Sequence, residues 1–189
     1  MKILYLLDKF SPKTDETFIV NEMVALKQLG HIVVIAANAR EAGEEFHEEI
    51  KNHRLLDDTV YPSGRPNFAG YKNGAQKALD FFPKFFRDFI ESPLQTAQTA
   101  RMIGNMSRDI WIFFDDYLLA RQVRDMKIDI IHVPFSYLRH LEQAVSLSNL
   151  LRVPFTYTFR SGDLYVERRT DREKEFNNNL HFISLSSGE

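Results

Sequence analysis

Two lysines, Lys9 and Lys13, fall in the short stretch Asp8 to Thr17 near the start of the chain, where they can approach an anionic ligand or serve as ordinary surface charges. His132 closes the run Asp129-Ile-Ile-His-Val133, at the position where a strand gives way to its loop. An imidazole there faces a ligand edge, or is simply a satisfied structural group. Arg160 and Asp163 follow a later run in Thr158-Phe-Arg-Ser-Gly-Asp163. A guanidinium has no practical neutral form and cannot act as a general base. It can hold a phosphate or carboxylate through two parallel hydrogen bonds, or pair locally with Asp163 or Glu167. No Ser/His/Asp set or carboxylate pair can be assigned.

These residues need elements to position them. Lys2-Ile-Leu-Tyr-Leu-Leu-Asp8 predicts a strand, the amphipathic run closed by Leu29-Gly30-His31 a helix, and Ile32-Val-Val-Ile35 a second strand. Parallel strands require such a crossover, so the pattern begins an α/β, Rossmann-like, doubly wound and mostly parallel sheet. Ligands gather at the carboxyl ends of such strands, which places Asp8 to Thr17 at the site. The helix is expected to start near Asp15 as N-cap, to bury Ile19, Met23 and Leu26, and to end at Gly30 in a left-handed conformation. Further on, Asp129–Val133 and Pro154–Thr158 predict strands, with a helix over Tyr137–Leu151 burying Leu138, Leu141 and Val145. Leu180–Ser186 predicts a last strand.

Composition narrows the function. The 189 residues, 44% hydrophobic, suffice for one substantial core and predict a single domain. A net charge of -2 supplies no basic field for nucleic acid, which is not expected as a partner. Without cysteine there is no disulfide, thiolate metal site or cysteine nucleophile, which fits a reducing cytoplasm. The first apolar run is interrupted by Asp8, too short for a membrane span and without a signal cleavage site. No glycine precedes Gly30, so the glycine-dependent cradles for NAD or ATP are excluded and no cofactor is expected.

The middle of the chain is less directive. Glutamates dominate residues 40 to 54 and predict a solvated helix or loop, with His47 and His53 spaced wrongly for one helical metal face. Pro62, Gly64, Pro66, Gly70 and Gly74 mark a loop. Phe81, Phe82, Phe85, Phe86 and Phe89 share half of a helical wheel and predict a packing face, while membrane contact is the sharper alternative. Pro83 is expected to begin or kink that helix. A long helical segment after Pro93 is expected to bury Ile110, Phe114, Tyr117 and Leu118. Asp115 and Asp116 point in different directions on it, which argues against a metal site.

Pro12, Glu16-Thr17-Phe18-Ile19, Asn21-Glu22, Leu26 and Gly30-His31 together resemble the start of the retaining GT-B glycosyltransferases, in particular the family-four, group-1 branch that builds exopolysaccharides of the colanic-acid type. Asp129-Ile-Ile-His132, Val153-Pro-Phe-Thr-Tyr-Thr158 and Phe182-Ile-Ser-Leu-Ser186 are similar to later strands of the same domain. The resemblance implies an amino-terminal, acceptor-side Rossmann-like domain, with Lys9, Lys13, Glu16, Thr17, His132, Arg160 and Asp163 as substrate-binding residues and no metal. It implies a nucleotide-sugar donor held mainly by a second domain, a glycan or lipid-linked acceptor, and a cytoplasmic, peripherally membrane-associated setting for polysaccharide biosynthesis. The chain stops three residues after the last matching strand, so it reads as a fragment that transfers no sugar alone. Where the family has "T-x-H-G-x-D", Arg160 and Ser161 replace histidine and glycine while Asp163 matches, which favours anion contact over inherited catalysis. A noncatalytic binding or scaffold domain and a GT-B-fold sugar-nucleotide epimerase are the alternatives.

Overall fold

The computed structural model describes residues 1–10, 17–40, 48–62, 74–105, 107, 109–134 and 138–158. The chain divides into two units, Met1–Thr158 and Phe159–Glu189, and every described element lies in the first.

Strands β1 (Lys2–Phe10), β2 (Ile32–Arg40), β3 (Thr59–Val60), β4 (Ile130–Val133) and β5 (Phe155–Tyr157) form one sheet in the order β3-β2-β1-β4-β5. Every pairing is parallel, with Tyr5 between Ile35 and His132. This is the α/β class expected from the alternating runs. Chain order reverses direction between β1 and β4, the place where open α/β sheets form their ligand crevice. Ile3 through Leu7 are buried without interruption, as a central parallel strand covered on both faces must be.

Strand alternation sorts the core into two layers. Ile3, Tyr5 and Leu7 with Val33, Ile35 and Ala37 pack against helix α1 (Thr17–Gln28) through Ile19, Val20, Met23 and Val24, and against Ile50 of the short helix α2 (Glu48–Asn52). Leu26 is only partly buried, so the inward stripe of α1 is shifted toward Val20 and Val24 from the expected one. The acidic stretch is likewise not wholly solvated, since Ile50 is fully buried. The expected N-cap Asp15 lies outside the described residues.

Gly30 adopts φ +82°, and the N–H groups of Gly30 and His31 donate to the carbonyls of Lys27 and Leu26 at 3.0 Å each. This double closure satisfies two orphan carbonyls and turns the chain into β2.

The opposite face carries Leu4, Leu6, Ile131 and Val133 and meets helix α6 (Leu138–Leu151), which buries Leu141 and Ala144 but leaves Val145 half-buried. Helices α3 (Gly74–Glu91), α4 (Pro93–Gly104) and α5 (Ile110–Val123) pack on one another, and α4 and α5 also contact α6. The segment after Pro93 is therefore two helices, not one. Asp109 starts the second by accepting from the N–H groups of Trp111 and Ile112 at 2.8 and 2.9 Å. Ile110, expected inside, is 53% exposed because it precedes the buried turn of Phe114, Tyr117 and Leu118.

Pro83 lies inside α3 and does not begin it. The phenylalanine face of α3 is split. Phe81 stacks on Phe114 with ring centroids 4.2 Å apart and meets Tyr117 edge-on, and Phe85 is half-buried, whereas Phe82, Phe86 and Phe89 are exposed. Buried Asp88 explains the split: it accepts from Arg121 Nε at 2.8 and 3.0 Å and from the Tyr117 hydroxyl at 3.1 Å. This polar lock turns the Phe81 side of α3 toward α5 and the remaining rings outward.

Candidate functional site

Because all five strands run the same way, the carboxyl ends of β1, β4 and β5 lie on one edge of the sheet. Lys9 is exposed in the last turn of β1, and Thr17 opens α1, so the two bracket the glycine-free connection. Arg40 ends β2 directly beside Phe10 and adds a second cation to this rim. Lys13, Glu16, Arg160 and Asp163 lie outside the described residues.

His132 sits at the end of its own short strand but level with Tyr5, four residues before Lys9. At about 3.3 Å per residue this sets it ~13 Å below the rim along the strands. Tyr5, His132 and Thr156 form a row across β1, β4 and β5 in direct register, on the face that carries α1. His132 Nδ1 is 2.9 Å from Thr156 Oγ1, and its ring meets Tyr5 edge-on at 4.9 Å. Glu22, on α1, accepts from the Tyr5 hydroxyl at 2.7 Å. The same carboxylate oxygen is 3.4 Å from His132 Nε2, an electrostatic contact with no hydrogen bond.

Burial pushes the His132 imidazole below its ordinary pKa, and the neighbouring Glu22 charge opposes that shift. Burial and the hydrogen bond to Glu22 both push Tyr5 upward. Thr156 holds the neutral imidazole through Nδ1, which leaves Nε2, beside the Glu22 carboxylate, as the nitrogen that can take up a proton against the cost of burial.

A second polar group occupies the other face of the same edge. Asp8 Oδ1 accepts a long hydrogen bond of 3.4 Å from Asn38 Nδ2 on β2. His140, in the first turn of α6, is buried in the field of Asp8. Burial lowers its pKa to about 4, with Asp8 raising it and Arg139 lowering it. Arg139 donates through both terminal nitrogens to Asp116, at 2.8 and 2.5 Å, and Gln143 donates to the same carboxylate at 2.7 Å. Asp115 instead accepts from Lys77 at 2.5 Å. Burial raises the pKa of both aspartates against the pull of those cations. The adjacent acids thus hold α3 and α6 onto α5 in two directions, as their placement on one helix implied.

Among the described residues, no group of three or more histidines and acids is placed to hold a metal. Nor is any described helix long and apolar enough to cross a membrane. Of the site residues read from the sequence, Lys9 lies near the carboxyl end of β1 and Thr17 at the start of α1, whereas His132, one residue from the end of β4, is level with the middle of β1 and below the rim. Sequence reading passed over Asn38, Arg40, His140 and Thr156. Thr156 was detectable in principle, since alternation in Phe155-Thr-Tyr157 puts it across from His132; His140 looked like one more polar position on an amphipathic helix. Comparisons with protein-family models, with curated proteins and with solved structures gave no match.

Proposed function

We propose that this chain is the amino-terminal, acceptor-side domain of a retaining GT-B glycosyltransferase that moves a sugar from a nucleotide sugar to a glycan or lipid-linked acceptor. The observation that carries the reading is the β1–β4 switch point at the carboxyl edge of an all-parallel sheet, fronted by a connection without glycine. A crevice there suits a hydroxyl-rich ligand, because a pyrophosphate needs the close backbone approach that only glycines permit. Lys9 and Arg40 supply charge at the rim for an anionic acceptor, and Thr156 holds His132 beneath it, beside Glu22. In this reading, catalysis would come chiefly from positioning the acceptor and stabilising the departing diphosphate.

Ligand-observed NMR on the 189-residue chain tests the proposal with an oligosaccharide panel and a panel of nucleotide sugars. Glycans are expected to bind, nucleotide sugars to bind little, and neither transfer nor isomerisation to occur. Arg160→Ala is expected to weaken an anionic glycan by about 1.5–3 kcal/mol, the range for a hydrogen bond to a charged group. Arg160→Lys should restore it only partly. Isomerisation of a nucleotide sugar without acceptor would overturn the transferase reading in favour of an epimerase, and failure to bind any glycan would remove the acceptor-side assignment.

A further inference from the structure

Helix α3 presents two apolar faces, and the fold uses one. Phe81 and the Asp88 lock face α5. Leu79, Phe82, Phe86, Phe89 and Ile90 face solvent, each between 46% and 81% exposed. At about 100° per residue these five fall within a stripe ~100° wide, and the first four are spaced three, four and three residues apart, the seam of a helix that packs against another helix. That spacing reads the same in both directions. Two antiparallel copies related by a two-fold axis beside Lys84 therefore set Leu79 against Phe89 and Phe82 against Phe86, as an isologous contact requires.

Charge selects the orientation and the occupant. Asp80 and Arg87 lie on the same flank of the stripe at opposite ends; a two-fold axis perpendicular to the helices keeps that flank on one side of the seam, so antiparallel copies bring these unlike charges to the same side, whereas in a parallel pair the flank faces the other flank of the partner and gains no such match. The flank balances Lys84 and Arg87 against Asp80 and Glu91, and Arg87 already donates to Glu91 at 2.8 Å. It therefore lacks the cationic excess of a helix that lies on an anionic membrane. Area is consistent with a copy as partner: with aromatic side chains of about 150–250 Å² each, the exposed fractions amount to roughly 600 Å² per copy, and two copies reach ~1,200 Å², the low end for a specific interface.

We infer that α3 is a homodimer interface, formed by antiparallel pairing of its Leu79, Phe82, Phe86, Phe89 and Ile90 stripe with that of a second copy of this chain. The interface is small, so the dimer is reversible.

Sedimentation equilibrium of the full chain from micromolar to millimolar concentration tests this. Mass is expected to rise from one copy to two. Phe86→Glu should raise the dimer dissociation constant at least tenfold while leaving the circular dichroism unchanged, because the side chain contributes little to the monomer core. The chain has no cysteine, so register is read directly: under mild oxidation a mixture of Phe82→Cys and Phe86→Cys chains is expected to cross-link faster than either alone. A monomer at every concentration would overturn the inference, as would a dimer indifferent to Phe86→Glu. Flotation of a monomeric chain with zwitterionic vesicles, abolished by Phe86→Glu, would assign the stripe to a lipid surface and also overturn it.

Discussion

His140 shows how far one buried side chain can set the behaviour of the fold. Its pKa of about 4 in the native state lies below the 6.5 of a free imidazole, so the unfolded chain binds the proton more readily. Stability from this group is therefore complete above pH 6.5 and declines as pH falls from 6.5 toward 4, by up to ~3 kcal/mol over the interval. Asp115 and Asp116, whose native pKa values are raised, act with the opposite sign and offset part of the loss at the acid end. Urea unfolding between pH 7.5 and 4.5 is expected to show the decline, and His140→Gln to flatten it. A slope unchanged in that variant would place the acid sensitivity in another group, His132 foremost. Little of this was legible in the sequence, because the burial that lowers the His140 pKa, and the Asp8 charge that opposes it from 132 residues away, arise only once α6 packs on the sheet. His132 was legible, since a short buried run announces the strand that carries it.

At the scale of elements, local chemistry was most readable where one residue type is demanded by one conformation. Gly30 sits at φ +82°, which costs an L-residue about 1–2 kcal/mol, so Gly30→Ala is expected to destabilise by roughly that amount in chemical denaturation. Arg152 ends α6 at φ +57° without the glycine, and its side chain is exposed. Arg152→Gly is expected to be neutral or stabilising by up to about 1 kcal/mol, because relief of the backbone offsets the greater entropy of glycine in the unfolded chain. Loss of stability in Arg152→Gly would mean that the arginine side chain carries a contact of its own. Tertiary locks were the unreadable part. The wheel of α3 shows five phenylalanines on one side, but Asp88, Tyr117 and Arg121 decide which of them turn inward, and that triad joins residues about thirty apart in the chain. The two-residue strand β3 is too short to leave any periodic signal.

For the whole molecule, the sheet order makes β1 the hub. It pairs with β2 on one side and β4 on the other and is buried on both faces. Native-state hydrogen exchange is expected to show Leu4, Tyr5 and Leu6 as the slowest amides, opening only on global unfolding, while β3 and β5 at the two edges exchange by local opening. Faster exchange in β1 than in β5 would contradict this ranking. The parallel class was foreseeable from alternating runs; the pairing partners were not, because the β1–β4 contact joins segments separated by most of the chain. The Lys2 backbone N–H donates to the carboxylate of Asp129 at 2.6 Å, and the Asp129 N–H donates back to the Lys2 carbonyl at 2.9 Å. This clasp has a consequence for biosynthesis. β1 is made more than a hundred residues before its partner β4, and until then its β4 edge is unpaired and the Leu4 and Leu6 side, which α6 later covers, is open. A nascent chain arrested before Ile130 is expected to engage chaperones that a chain extended past Tyr157 does not, and slow translation across the intervening helices would lengthen its exposure to aggregation.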